Sequence, residues 1–489
     1  MSAPRFDAAV LHRLGVRRLT LDSRTVRPGD AFLACSGETR DGRDFIADAV
    51  GRGASAVLWE AESHAWNRRW RVPHFAVPGL RRCAGEIAAD FHGRPSARLW
   101  TIGVTGTNGK TSCSQWIAQA LTCSRRKCAV IGTLGSGFPG RLSAAVNTTP
   151  DAVSLQARLR DFERAGAKAV CMEASSHGLV QDRLAGVEFD VALLTNLSRD
   201  HLDYHGTMRR YKAAKARLFR WPTLRHAIVN LDDGFGREIA QRWKHRRASL
   251  FGYGFGRRGS RQCAGRIEGS NLELGAAGIA FDVTSPWGHA AVRSPLLGAF
   301  NAANLLATLS VLLASGVEIG AAAAVLERLA PAPGRMARYG GGDRPLVVVD
   351  YAHTPDALEK VLLALRPLRA PRGRLLCVFG CGGERDAGKR PLMGAVAACL
   401  ADHVVLTSDN PRSEDPRAII ADIAAGTAGA HEEIADRRRA ILSAVAAARR
   451  GDIVLVAGKG HENYQEIGGL RRRFDDAAVV KAALAGRTR

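Results

Sequence analysis

The stretch Thr105-Gly106-Thr107-Asn108-Gly109-Lys110-Thr111 constrains the fold more than any other part of the chain. An apolar run at 99–104 precedes it and a helical pattern at 112–121 follows, so the segment is predicted to be strand, glycine loop and helix. Small residues let backbone N–H groups close around phosphate oxygens, and the helix N-terminus adds its dipole. Lys110 supplies a point charge and the Thr111 hydroxyl can reach Mg²⁺, so a nucleoside triphosphate is the expected ligand. One departure stands out: Val104 occupies the place of the first glycine of the common phosphate loop, and Gly103 and Gly106 flank it.

At 489 residues the chain has room for about three domains. Residues 1–95 read as a small α/β module with strands at 19–21, 31–34, 54–58 and 74–77 and a helix ending near 91. Gly93-Arg94-Pro95 marks a linker. Residues 96–330 alternate apolar runs with helical patterns, which implies a largely parallel, P-loop ATPase-type sheet with strands at 129–131, 169–172, 191–195 and 227–229. Thr149-Pro150-Asp151 reads as a helix start with Pro150 at the first helical position, and Gly166 as its stop. The pattern at 249–292 suggests hairpins, and 301–313 an apolar helix. After Pro331-Ala332-Pro333-Gly334, residues 331–489 read as a Rossmann-like doubly wound domain with strands at 346–349, 375–379, 403–406 and 453–456 and helices at 356–365 and 440–449. Polar or glycine-rich loops follow those strands at 350–353, 380–383, 408–412 and 458–462. Ligands bind at the carboxyl ends of parallel strands, so these four loops define a second site.

The formal charge of +23 raises nucleic acid as a partner, but the basic knots are short and scattered, and aromatic residues, at 6%, are too few for base-stacking platforms. No nucleic-acid partner is therefore expected. Arginine far outnumbers lysine, which makes the lysines inside motifs informative: Lys110, Lys215, Lys389 and Lys459. The ten cysteines form no C-x-x-C and no paired framework, and read as small buried hydrophobes. No basic-then-apolar leader and no apolar run of the roughly 20 residues needed to span a bilayer is present, so a cytoplasmic protein is expected, acting as a monomer.

Glu173 ends the run at 169–172 and can hold Mg²⁺ opposite Thr111, although a helix-capping acid has the same appearance. The stretch Thr195 to Gly206 crowds acid, imidazole and amide groups after another strand, with His201 the candidate for a further Mg²⁺ ligand. Lys215, on a helix, reads equally as a surface cation, and Asp22-Ser23-Arg24 as ordinary turn chemistry.

Taken together, TGTNGKT, MEASSHGL (172–179), TNLSRDHLDYHG (195–206), YKAAKARLF (211–219), GAFNAAN (298–304), PGRM (333–336) and VDYAHTPDAL (349–358) resemble, in order, the motifs of the Mur ligase family of ATP-dependent amide ligases. NTTPD (147–151), CGGERDAGKRPLM (381–393), SDNPR (408–412) and GKGHE (458–462) resemble the branch that adds the third peptide residue, and the DNPR form its diaminopimelate-using members. The resemblance implies a UDP-sugar-binding domain at 1–95, an ATP-binding domain at 96–330 and an amino-acid-binding domain at 331–489. It implies ATP, two Mg²⁺ ions and a carbamylated Lys215, with UDP-N-acetylmuramoyl-L-alanyl-D-glutamate and meso-diaminopimelate as substrates.

By motif position, the resemblance makes Lys110, Glu173, His201 and Lys215 catalytic. It assigns ATP to Thr105 through Thr111 with Asn304, Arg335, Asp350 and His353, and the metals to Thr111, Glu173, His201 and Lys215. It gives the UDP-sugar peptide to Ser23, Asn147, Thr148, Thr149, Ser175, Gln181 and Arg183. Diaminopimelate falls to Arg385, Asp409, Asn410, Arg412, Gly458 and Glu462, the arginines for its distal carboxylate and Glu462 for its ammonium; a lysine substrate leaves those arginines unpaired. An L-lysine-adding homologue, a folylpolyglutamate synthetase-like ligase and a basic P-loop ATPase on nucleic acid are the alternatives.

Overall fold

The structure is a computed structural model, described here for residues 6–37, 40–62, 64–144, 147–245, 247–256, 262–275 and 277–486. Among these residues the strands form four sheets. The first holds Arg18–Thr20, Asp30–Ala34, Ala56–Glu60 and His74–Val77, all parallel and in chain order. The second is an eleven-stranded sheet spanning Trp100–Thr105 to Gly288–Ser294, and the third a six-stranded sheet spanning Ala337–Gly340 to Ile453–Ala457. A small hairpin, Tyr464–Ile467 with Leu470–Arg473, completes the set.

Side chains alternate across the second sheet as strand geometry requires. Ile102, Val104, Val191 and Leu193 pack into one buried cluster, while Val170, Met172, Ala192 and Leu194 enter the other. With both faces covered, these strands carry no polar face, which is why they read as continuous apolar runs. The same alternation divides Leu375, Cys377 and Phe379 from Leu376 and Val378 in the third sheet. Cys113, Cys128, Cys171, Cys377 and Cys381 are buried, and burial raises their thiols well above the ordinary range.

Topology fixes where ligands can enter. Trp100–Thr105 lies between Ala169–Glu173 and Val191–Leu194, parallel to both, so the chain leaves it in opposite directions and a crevice opens at its carboxyl end. In the third sheet Ile453–Ala457 is inserted between Leu346–Asp350 and Leu375–Phe379.

Two expectations are corrected. Pro150 is not the first helical residue: the helix is Ala152–Arg164, capped by the Asp151 carboxylate, which accepts from the N–H groups of Val153 and Ser154. Thr149 cannot cap because its hydroxyl is already committed to the Glu173 carbonyl at 2.8 Å. Nor is 249–292 hairpins throughout. Ser249–Gly254 runs parallel to His226–Asn230 and Gly265–Gly275 parallel to it; antiparallel pairing starts only with Gly278–Ser285 and Gly288–Ser294. Alternation reports a half-exposed strand and carries no information about its partner's direction.

His92 follows the helix Leu80–Phe91 and meets Arg160 of the helix Ala152–Arg164 at 3.3 Å, at the seam between the first and second sheets. Burial, helped by the Arg160 charge, lowers its pKa from 6.5 to about 4. The unfolded chain therefore takes up this proton at a higher pH than the folded one. The contribution of His92 to stability is expected to fall by roughly 2–3 kcal/mol as pH drops from about 6.5 to about 4, and then to level off. Denaturant titrations across that range check this, and a His92→Gln variant should show a correspondingly flatter pH dependence.

Candidate active site

The phosphate loop opens from the strand Trp100–Thr105 and closes on the helix Lys110–Cys123, two residues earlier than its apolar pattern suggested. Val104, the residue out of place in the common motif, is an interior strand residue paired in register with Glu173. Gly109 caps the helix at φ 84°, and a Cβ there would stand 2.5 Å from Asn304 Oδ1. Only glycine satisfies both demands. The loop is held from the next strand, where the Thr195 hydroxyl donates to the Asn108 carbonyl at 2.6 Å and Asn196 accepts the Thr107 and Asn108 N–H groups.

Three charged side chains converge on this loop. Lys110 Nζ donates to the carbonyls of Gly106 and Thr107 at 2.9 and 2.8 Å. Lys215 Nζ donates to the same Gly106 carbonyl at 2.6 Å and lies over the Tyr211 ring. The reading of Lys215 as a surface cation is thus corrected: it is fully buried, and desolvation, reinforced by Lys110, drives its pKa well below that of an ordinary lysine. Glu173 is equally buried and accepts from Thr111 Oγ1 at 3.1 Å and from Thr133 Oγ1 at 3.0 Å. The Thr133 N–H donates to its other oxygen at 2.8 Å.

A cavity of about 630 Å³ gathers Thr107 to Thr111, Asn147, Thr148, Thr149, Glu173, Ser175, Arg183, His201, Lys215, Arg335, His353, Arg385 and Glu462. Thr105 stands just behind it as the last strand residue, its hydroxyl bonded to the Ala174 carbonyl. Thr148 meets Thr133, Thr149 meets Ser175, and Arg183 donates to the Thr149 carbonyl, so these groups form one polar wall. A neighbouring cavity of about 340 Å³, lined by Trp116, Tyr253, Phe300 and Asn304, also reaches Arg335 and Asp350. Both Asp350 oxygens accept backbone N–H groups, of Met336 and Ala352. A third cavity of about 190 Å³ is lined by Asp409, Asn410, Arg412, Gly458 and Lys389 and shares His201, His353, Arg385 and Glu462 with the first. Tyr351 borders all three. Two proposed substrate residues stand apart from these linings: Ser23, on the first sheet's rim, bonds Asp48, and Gln181 donates to the Tyr204 hydroxyl at 3.1 Å.

Asp200 sits at the junction of the first and third cavities, 3.4 Å from His201 Nε2 and 3.8 Å from His353 Nε2. Burial opposes its ionisation, but Lys389 and Lys110, together with His201 and His353 at the low pH where those are protonated, outweigh that penalty and hold the carboxyl well below the usual carboxylate range. Burial lowers His201 to about 3 and His353 to about 4, so both imidazoles are neutral at pH 7. Arg385 lies 3.7 Å from Asp203 and Arg412 donates to the Gly383 carbonyl, so a substrate without a distal carboxylate would not leave either arginine wholly unpaired. Loops of the third sheet also fasten directly to the second. Arg199 pairs with Asp386 through two contacts at 3.0 and 3.1 Å, Asn108 donates to Asp356 at 2.7 Å, and Arg335 donates to Thr111 at 3.1 Å.

The family model "Mur ligase middle domain" matches residues 104–312, "Mur ligase, glutamate ligase domain" 334–460 and "Mur ligase family, catalytic domain" 15–92. A "UDP-N-acetylmuramoyl-L-alanyl-D-glutamate--2,6-diaminopimelate ligase" of Chromobacterium violaceum is 53% identical over 98% of this chain and 97% of its own length. The protein of the same name from Nitrosomonas europaea is 49% identical over 98% and 95%. The chain belongs to the Mur ligase family. A solved structure of a protein of that name is also similar to this Mur ligase, with a TM-score of 0.68, 41% identity and coverage of 97% of this chain and 96% of the other.

In this Mur ligase, sequence reasoning gave no role to Thr133, Asp200, His177 and Tyr351, which the fold brings into the cavities beside Lys389, a lysine already marked by its motif. Thr133 follows the strand Cys128–Gly132 directly, and Tyr351 follows Leu346–Asp350, so their place at strand carboxyl ends was the available signal. Gly109→Ala is expected to weaken ATP or ADP binding by at least about tenfold, because a Cβ at that position collides and the backbone is strained. Titration calorimetry with nucleotide measures this; a melting temperature close to wild type shows that the fold survives.

Proposed function

We propose that this Mur ligase joins meso-diaminopimelate to the free carboxylate of the D-glutamyl residue in UDP-N-acetylmuramoyl-L-alanyl-D-glutamate, using ATP, in peptidoglycan precursor synthesis. The observation that carries this reading is the convergence of the phosphate loop, Glu173 and Lys215 on one cavity that continues into the pocket of Arg385, Asn410, Arg412 and Glu462. The family relatives of 49–53% identity bear the name of this reaction.

The chain's groups divide the work. The 340 Å³ cavity, largely apolar with Asn304 and Asp350 on its wall, suits adenine and ribose. Arg335 Nε is buried without an acceptor among the described residues, a donor suited to phosphate oxygens. Lys110 and the loop N–H groups orient the γ-phosphate. The glutamyl carboxylate attacks it, ADP leaves, and an acyl phosphate forms. The amino group of diaminopimelate then attacks the acyl carbon, phosphate departs, and an amide remains. The cavities are shared among loops of two sheets, and closure of those loops on the substrates would keep water from the acyl phosphate.

Mg²⁺ takes hard oxygen ligands and keeps several waters, so one carboxylate and one hydroxyl beside a phosphate site fit it. Thr111 and Glu173 would hold one ion, and His201 with Lys215 a second. The metal supplies charge neutralisation on the phosphate oxygens. Lysine cannot ligate as an ammonium. Its depressed pKa makes the neutral amine available to CO₂, giving a carbamate and releasing one proton, and arginine offers no such route. The first sheet, with Ser23, is assigned to the UDP-sugar, with Asn147, Thr148, Thr149, Ser175, Gln181 and Arg183 binding the attached peptide.

Phosphate release should require both the UDP-muramoyl dipeptide and meso-diaminopimelate. Equal release with L-lysine contradicts the amino-acid assignment, and release stimulated by DNA contradicts the ligase. Lys215→Ala should abolish ligation while short added carboxylates restore part of it; an active variant without additives removes the carbamate from the mechanism.

A further inference from the structure

The acceptor cavity rests on a buried charge network whose cation, Lys459, has no part in the reaction just described. Lys459 is fully buried, and its ammonium donates to Asn410 Oδ1 and to Glu462 Oε2, each at 3.0 Å. Asn410 Oδ1 also accepts the Glu466 N–H at 3.0 Å, while Asn410 Nδ2 donates to Glu462 Oε2 at 2.8 Å. The amide has one satisfactory orientation, because turning it over would set NH₂ against an ammonium and a backbone N–H. Glu462 Oε2 thus receives two donors, while among the described residues none bonds its Oε1. Glu466 carries the constraint onward, its carbonyl accepting the Arg412 N–H at 3.0 Å.

We propose that Lys459 is the positioning residue that gives this enzyme its amino-acid selectivity. It locks the Asn410 amide and one Glu462 oxygen, so that the other oxygen takes the distal ammonium of the acceptor while Arg385 and Arg412 take its distal carboxylate. The inference deepens the acceptor reading given above and rests on it. Replacement by arginine is not conservative here: a planar guanidinium is larger than the fully enclosed ammonium and presents its donors in a fixed fork. That accounts for a lysine at this point in a chain whose cations are mostly arginine.

The test is steady-state kinetics of Lys459→Met and Lys459→Arg at saturating ATP and UDP-muramoyl dipeptide. Both variants are expected to raise KM for meso-diaminopimelate by about tenfold or more, the consequence of leaving buried polar groups unpaired. Changes in kcat and in KM for ATP should stay within about threefold, as for a group acting on acceptor binding alone. Preference for meso-diaminopimelate over L-lysine should narrow by about as much as KM rises. A double-mutant cycle with Glu462→Gln should be strongly non-additive. Unchanged KM, full rescue by arginine, or additive effects would each overturn the assignment. Should the methionine variant fail to fold, Asn410→Asp keeps a partner for Lys459 but loses the donor to Glu462, and is expected to raise the same KM; a normal KM there counts equally against it. Wild-type protein that uses no diaminopimelate at all overturns the underlying reading instead.

Discussion

One carbonyl oxygen, that of Gly106, accepts hydrogen bonds from two lysines, and much of the site depends on it. Burial disfavours charging either lysine, and Lys110 adds to that cost at Lys215. Desolvation alone disfavours a buried cation; a second cation nearby adds to that penalty. The result is a phosphate loop with one lysine belonging to it and a second, Lys215, whose neutral amine is favoured by burial. The sheet makes this possible, since the loop starts one residue beyond the pairing of Val104 with Glu173, which sets a carboxylate beside the helix N-terminus.

The second dependency is between sheets. The phosphate loop and the loops around Asn410 and Glu462 sit on different, largely parallel sheets, and the two sheets meet through polar contacts: Arg199 with Asp386, Asn108 with Asp356, and Arg335 with Thr111. Arg199 and Asp386 flank residues of both cavities, so a single bidentate pair aligns Asp200 and His201 with Arg385 and Lys389. Within the third sheet a buried ion pair does similar work. Arg437 contacts Asp476 at 2.7 Å and donates to the Ala457 carbonyl at 2.9 Å and the Ser408 carbonyl at 3.3 Å, bracing the loops that carry Lys459 and Asn410. Breaking such a pair leaves a buried charge unmatched, which is far more costly than losing a surface bridge.

The strands were legible because buried parallel strands are apolar without interruption, and the loops at their carboxyl ends because polar residues cluster there. Asn410, Arg412, Glu462 and the phosphate loop could thus be placed on the correct rims. Direction of pairing was not legible at 249–275, where alternation fits either sense. The Pro150 assignment failed because a hydroxyl that looks like a cap had a stronger partner across the sheet. Thr133 and Asp200 escaped notice for a related reason: a lone threonine or aspartate has no periodicity, and its importance comes from what faces it after folding. Lys215 belongs to the same class, since burial of a helical lysine is a tertiary fact. Ser23 and Gln181 lie outside the cavities that collect the others, bonded instead to Asp48 and to the Tyr204 hydroxyl.

The proposed reaction requires that the phosphate loop deliver the γ-phosphate of ATP to a carboxylate before the amine attacks. Ligation with UDP-muramoyl dipeptide carrying oxygen-18 in the acceptor carboxylate tests this directly, by mass spectrometry of the inorganic phosphate released. Transfer of one labelled oxygen from carboxylate to phosphate is the predicted result. Phosphate released without label, while the amide forms at its normal rate, would contradict it.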